Sequence, residues 1–218
     1  MKKIAVLLSG CGVFDGTEVH EAVLSLLAIT RAGAQYQCFA PDINQMHVVN
    51  HLTGEVNTEE TRNVLVESAR IARGEVLNAS NLVVNDYDGL VIPGGFGAAK
   101  NLSNFATTGS NCHINPIVEN FIRDFANVRK PVGFVCISPV MIPQIYGQGA
   151  TGTIGNDNDT AQAFNEMGGK HQFAKVDDIV VDEEHKVVST PAYMLATSIL
   201  EAHVGIEKLV NKVIEMMD

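Results

Sequence analysis

Val132-Gly133-Phe134-Val135-Cys136-Ile137-Ser138-Pro139 is a short apolar strand that ends on a cysteine and runs directly into a helical pattern over 139–146. No loop residues intervene, so the thiol falls at the junction of strand and helix. Backbone N–H groups at a helix start lack intrahelical partners and carry partial positive charge, which biases a cysteine there toward thiolate. Cys136 is therefore a candidate nucleophile.

The same strand-then-helix theme continues outward in both directions. Ile4-Ala5-Val6-Leu7-Leu8, the run 35–40 and Asp88-Gly89-Leu90-Val91-Ile92 read as strands, and amphipathic stretches over 17–31, 60–72 and 114–127 read as helices. This alternation predicts βαβ units and an α/β fold with a mostly parallel sheet. Asp15-Gly16-Thr17-Glu18 resembles a capping box, and Val19, Val23, Leu26, Leu27 and Thr30 follow at helical spacing. A last helix starts after Thr190-Pro191-Ala192, with Leu195, Ile199, Ala202, Ile206, Leu209 and Val213 on one stripe. Smaller strands fit 151–154, 178–181 and 186–189, around a helix near 160–167. The polar stretch 41–60 reads as a long loop and 98–112 as an irregular excursion. The acidic run 177–184 reads as a solvated turn.

Ligands of open α/β sheets bind beyond the carboxyl ends of the strands. Three loops fall there: 9–16 after the first strand, Pro93-Gly94-Gly95-Phe96-Gly97 after the strand ending at Ile92, and the Cys136 elbow. Neighbouring strands would bring them to one crevice. The glycine loop lacks a Gly-Lys-Ser/Thr sequence, so its expected role is to offer the Gly95 N–H, with that of Ile137, to a developing oxyanion.

At 218 residues the chain suits a single domain spanning 1–218, and 46% hydrophobic against 18% charged residues provides a well-buried interior. The net charge of -10 opposes nucleic acid and anionic membranes, leaving small molecules as the expected ligands. Met1-Lys2-Lys3 leads straight into a strand with no cleavage-site pattern, from which a cytoplasmic location is expected. The cysteines at 11, 38, 112 and 136 have no CxxC spacing, so neither a zinc ribbon nor a dithiol motif is predicted, and no metal or cofactor is expected. Cys38 reads as a core residue. Cys11 lies in a glycine-rich loop, where lining the pocket, acting as a second redox thiol and simple loop packing are all open. Lys100 and Asn101 are further candidates for the pocket.

The strand–Cys–helix elbow facing a Pro-Gly-Gly loop resembles the class I glutamine amidotransferase-like superfamily. A closer resemblance is to the ElbB family. It is carried by Leu8-Ser9-Gly10-Cys11-Gly12-Val13, by Ile92-Pro93-Gly94-Gly95-Phe96-Gly97-Ala98-Ala99-Lys100-Asn101-Leu102-Ser103, by Asp177-Asp178-Ile179-Val180-Val181-Asp182 and by Thr190-Pro191-Ala192-Tyr193-Met194. The family's proteins are described as isoprenoid biosynthesis proteins with an amidotransferase-like domain and as glutathione-independent glyoxalases. The resemblance implies a flavodoxin-like three-layer sandwich, a cysteine nucleophile and a first-helix glutamate that meets the thiol. Counted back from Arg31-Ala32-Gly33, that acid is Glu21. Glu18, one turn earlier, fits the capping role better, because a carboxylate bonded to its own helix end is less free to shuttle protons.

One departure bears on activity. The superfamily's amidotransferases place a histidine beside or downstream of the cysteine, whereas Ile137 follows Cys136 here and Thr153-Ile154-Gly155-Asn156-Asp157 brings none. Glutamine hydrolysis would lack its acid–base partner. The resemblance therefore implies a cofactor-free glyoxalase for glyoxal and methylglyoxal, with apparent deglycase activity through the same thiol. Alternatives are a non-catalytic redox-sensing module and an amidotransferase-like partner in isoprenoid biosynthesis. Homodimers are frequent in the superfamily, so a homodimer is expected.

Overall fold

The computed structural model describes residues 1–217. Its elements are β1 (Lys3–Leu7), α1 (Val19–Arg31), β2 (Gln35–Ala40), α2 (Val64–Ile71), β3 (Val76–Asn78), β4 (Gly89–Ile92) and α3 (Phe105–Thr108). After these come α4 (Pro116–Asn127), β5 (Val132–Val135), α5 (Ile142–Tyr146), β6 (Thr151–Gly152), α6 (Asn158–Glu166), β7 (Lys170–His171), β8 (Val180–Asp182), β9 (Val187–Thr190) and α7 (Ile199–Glu215). Seven strands form one sheet in the order β3-β2-β1-β4-β5-β9-β8. All neighbours are parallel except β8 and β9. The fold is a flavodoxin-like α/β sandwich.

Strand alternation sorts side chains onto two buried faces. Leu7, Leu90, Ile92, Val132 and Phe134 join Phe121 and Phe125 of α4 on one side. Ile4, Val6, Val91 and Val135 join Ala22 and Ile29 of α1 and Ile206, Leu209 and Val213 of α7 on the other. Gly133 faces α7, where an added Cβ would lie 2.6 Å from Leu209 Cδ2, so its lack of a side chain lets that helix approach the sheet.

Several expectations are corrected. The α1 stripe predicted from Val19, Val23 and Leu27 is the exposed one, and the buried face carries Glu21, Ala22, Leu24, Ser25, Ala28 and Ile29. Polar groups at 21 and 25 interrupt the apolar period on the face that packs inward. The last helix begins at Ile199, after the Ser198 side chain accepts the Glu201 N–H, so Leu195 precedes it and Ile199 is exposed. Residues 98–112 hold a π-helical turn at Ala98–Leu102, α3 and a 3-10 turn at Gly109–Asn111. β6 pairs with β7 outside the main sheet. Within the acidic run, Asp182 is buried, not solvated, and accepts the Thr151 N–H at 2.7 Å and His185 Nδ1 at 2.9 Å.

Candidate active site

Because β1, β4 and β5 are consecutive in the sheet, their carboxyl ends bring the three expected loops together. Cys136 follows β5 directly with φ +65°, a left-handed conformation that is strained for a residue with a Cβ. Its N–H donates to Thr190 O at 2.9 Å, which holds the elbow to the end of β9. Ser138 ties it from the other side: its Oγ accepts the Val135 N–H at 2.9 Å and lies 2.9 Å from Ile92 O on β4. The segment after the cysteine is a 3-10 turn (Ser138–Met141) before α5, so the expected helix start is a tight turn. Ser138→Ala removes the hydroxyl that joins Val135 to Ile92 and is expected to cost about 1 kcal/mol, read from urea melts.

Glu21 reaches the same point from α1 and is fully buried. Its Oε2 accepts the Gly94 N–H at 2.9 Å and its Oε1 accepts the Tyr193 N–H at 3.1 Å. The carboxyl lies beside the Cys136 side chain: a Cβ built on Gly94 would meet both, 2.8 Å from Glu21 Oε2 and overlapping Cys136 Cβ. Burial pushes the acid up to about 8, the Tyr193 N–H opposes this, and the nearby Glu18 carboxylate adds to it. Burial and then the Glu21 carboxylate raise the Cys136 thiol well above its ordinary range, while the N–H groups of Gly95 and Ile137 act in the other direction. The elbow alone does not lower this thiol. The unit is a sulfur and a carboxyl side by side in a buried site, with the Gly95 and Ile137 amides favouring the ionised sulfur.

Glu18 is the residue at the N-cap of α1, and its Oε2 accepts the Glu21 N–H at 2.6 Å. That capping bond leaves Glu21 as the acid that meets the thiol. Glu18 also borders a cavity of about 440 Å³ that opens over Cys136, Gly95 and Ile137. Cys11, Lys100 and Asn101 are not among the residues lining it, which corrects the sequence expectation. Beyond Gly97 the chain turns, and Asn101 Nδ2 donates to Ser9 O and Asp15 O while its Oδ1 accepts the Met46 N–H, clamping three loops. Lys100 Nζ donates to Phe14 O and lies 5.0 Å from the Phe96 ring centre. Cys11 is half-buried, its thiol raised by burial and then by Glu67.

Sequence reasoning missed Gly94, Ser138 and the Tyr193 backbone. A Cβ on Gly94 would overlap Cys136 Cβ and come within 2.8 Å of Glu21 Oε2. The doubled glycine was the available signal, since its first member answers to close approach and its second to a φ of +92°. Gly94→Ala is expected to lower kcat at least about 100-fold by displacing the pair, while costing only about 1–3 kcal/mol of stability. Steady-state kinetics beside a denaturation curve separates the two effects.

Known proteins place this architecture. No family model matches the chain. It is 44% identical over 223 residues to the rat "ES1 protein homolog, mitochondrial", covering 98% of this chain and 84% of the relative. It is also 44% identical to the human "Glutamine amidotransferase-like class 1 domain-containing protein 3, mitochondrial", covering 98% and 83%. A crystal structure of an isoprenoid biosynthesis protein with amidotransferase-like domain from Ehrlichia chaffeensis superposes with TM-score 0.92 at 38% identity, covering 99% of both chains. The chain belongs to the ElbB family of amidotransferase-like proteins. Among more distant structures, glyoxalase III of Candida albicans shares the fold of this ElbB-family chain, with TM-score 0.63 at 14% identity and 100% and 98% coverage. The rat and human relatives are both named as mitochondrial, which overturns the cytoplasmic expectation.

Proposed function

We propose that the protein is a glutathione-independent glyoxalase that converts small 2-oxoaldehydes to 2-hydroxy acids through Cys136. The observation that carries this reading is the buried Cys136–Glu21 pair, with a carboxyl pushed up to about 8 beside a sulfur whose ionised form the Gly95 and Ile137 N–H groups favour. An acid titrating near neutral pH can both give and take a proton within one cycle.

The Cys136 sulfur adds to the aldehyde carbon, and the thiol proton passes to the carbonyl oxygen, giving a hemithioacetal. Glu21 removes the remaining hydrogen of that carbon as a proton, forming an enediol(ate) with the neighbouring carbonyl. It then returns the proton to the second carbon. The first carbon is thereby oxidised to a thioester and the second reduced to a carbinol, with no external electron acceptor. Water attacks the thioester, the C–S bond breaks, and the 2-hydroxy acid leaves as the thiol is restored. Gly95 and Ile137 border the cavity beside Cys136, and their amides are the donors for an oxygen on the carbon that the sulfur binds.

The same addition would produce apparent deglycase activity, since removing free aldehyde reverses glycation. The test is NMR of methylglyoxal incubated with metal-free, glutathione-free protein. Lactate accumulating above the buffer control is the expected result, and its absence would remove the reading.

A further inference from the structure

We propose that the cavity over Cys136 selects 2-oxoaldehydes carrying an uncharged apolar substituent several carbons long, over glyoxal itself and over anionic analogues. This deepens the glyoxalase reading and rests on it. About 440 Å³ lies within the range that holds drug-sized ligands, whereas glyoxal is two linked carbonyl groups and leaves most of that space empty.

The wall decides what fills the remainder. Beyond the reacting groups its apolar wall is Val13, Phe96, Ala99, Phe105, Ile137 and Met194, with Thr160 and Tyr193 beside them. Phe96 is exposed and Phe105 half-buried, so apolar surface continues from the sulfur to the mouth. An alkyl or aryl tail lying along it would leave water together with that surface, which is favourable in proportion to area.

Charge sets the second half of the preference. Among the described residues no lysine, arginine or histidine lines the cavity, while Glu18 and Asp157 do. Lys100, adjacent in sequence to Ala99, directs its ammonium to Phe14 O and the Phe96 ring. A carboxylate or phosphate on the tail would lose hydration without meeting a cation and would face two acids.

The test uses the wild-type protein on 2-oxoaldehydes bearing methyl, butyl and hexyl groups, together with glyoxal and an ω-carboxybutyl analogue. From methyl upward the reacting carbonyls are unchanged, so the slope reads the wall. The expected kcat/KM rises about 4-fold per buried methylene. The carboxylate analogue should fall at least about 10-fold below its uncharged counterpart, and Ala106→Lys, at an exposed position on the rim, should narrow that gap. A flat series, or a preference for the carboxylate, would overturn the inference while leaving the glyoxalase reading intact. Failure to turn over any member would remove both.

Discussion

Cys136→Ala is expected to reduce glyoxal conversion to the buffer rate while leaving the unfolding free energy within about 2 kcal/mol of wild type. The loss is complete because the sulfur makes the bond on which each later step depends, and among the described residues lining the cavity there is no second thiol. The fold should survive because the elbow's backbone is held by bonds the side chain does not make: Cys136 N–H to Thr190 O, and Val135 N–H to Ser138 Oγ. Cys136→Ser should be equally inactive, since a hydroxyl keeps its proton far more tightly than a thiol in the same buried place. Rates from aldehyde loss, set beside a melting curve, check both variants. Conversion by Cys136→Ala at the wild-type rate would exclude the mechanism.

Glu21→Gln carries the second large effect, an expected fall in kcat of about 10²–10⁴, because an amide offers no proton to shuttle. The same substitution has a stability signature with a definite sign. The unfolded chain releases the Glu21 proton near pH 4.3, whereas the folded protein holds it to about 8. Between these values the native state binds the extra proton, so stability is fully present below the unfolded value and is lost as pH rises. The fall is about 1.4 kcal/mol per pH unit, levelling off above about 8. The glutamine variant lacks this slope. It has its own constant cost, because its NH₂ faces one of the two N–H donors, from Gly94 and Tyr193, that the carboxyl oxygens accept. Melts of both proteins at pH 5, 6, 7 and 8 should therefore show the wild type losing ground steadily to the variant. A difference that does not change with pH would mean that Glu21 titrates at its ordinary value.

How much of this is legible in the sequence follows from what each residue contributes. The apolar strands ending at Leu7, Ile92 and Val135 are buried runs with clear boundaries, so the parallel sheet could be read directly, whereas the convergence of its three loops depended on the strand order that the structure supplies. The α1 face could not, because Glu21 and Ser25 occupy the buried side and make the exposed Val19, Val23 and Leu27 look like the core stripe. For the same reason Glu21 emerged only through the family resemblance: a glutamate inside an amphipathic helix otherwise reads as a solvent-facing residue. Short strands such as β3 and β7 carry too few residues for a period to show.

The backbone contributions were hidden for a different reason. Gly94 and Tyr193 act on Glu21 through their N–H groups, which every sequence except proline supplies, so residue type does not signal the role. Ala192, with φ +42°, helps turn the chain after Pro191 and carries the Tyr193 N–H toward the carboxyl. Asn101 shows the opposite error. Its position in a glycine-rich motif suited a pocket residue, but its amide is fully occupied in joining Ser9, Asp15 and Met46.

The most direct test of the thiol–carboxyl pair follows ¹³C-labelled glyoxal by NMR with wild type, Cys136→Ala and Glu21→Gln in parallel, all free of metal and glutathione. Labelled glycolate should form with the wild type, stay at the buffer level with Cys136→Ala, and form at least about 100-fold more slowly with Glu21→Gln. Glycolate forming equally fast with all three would contradict the pair as the site of chemistry.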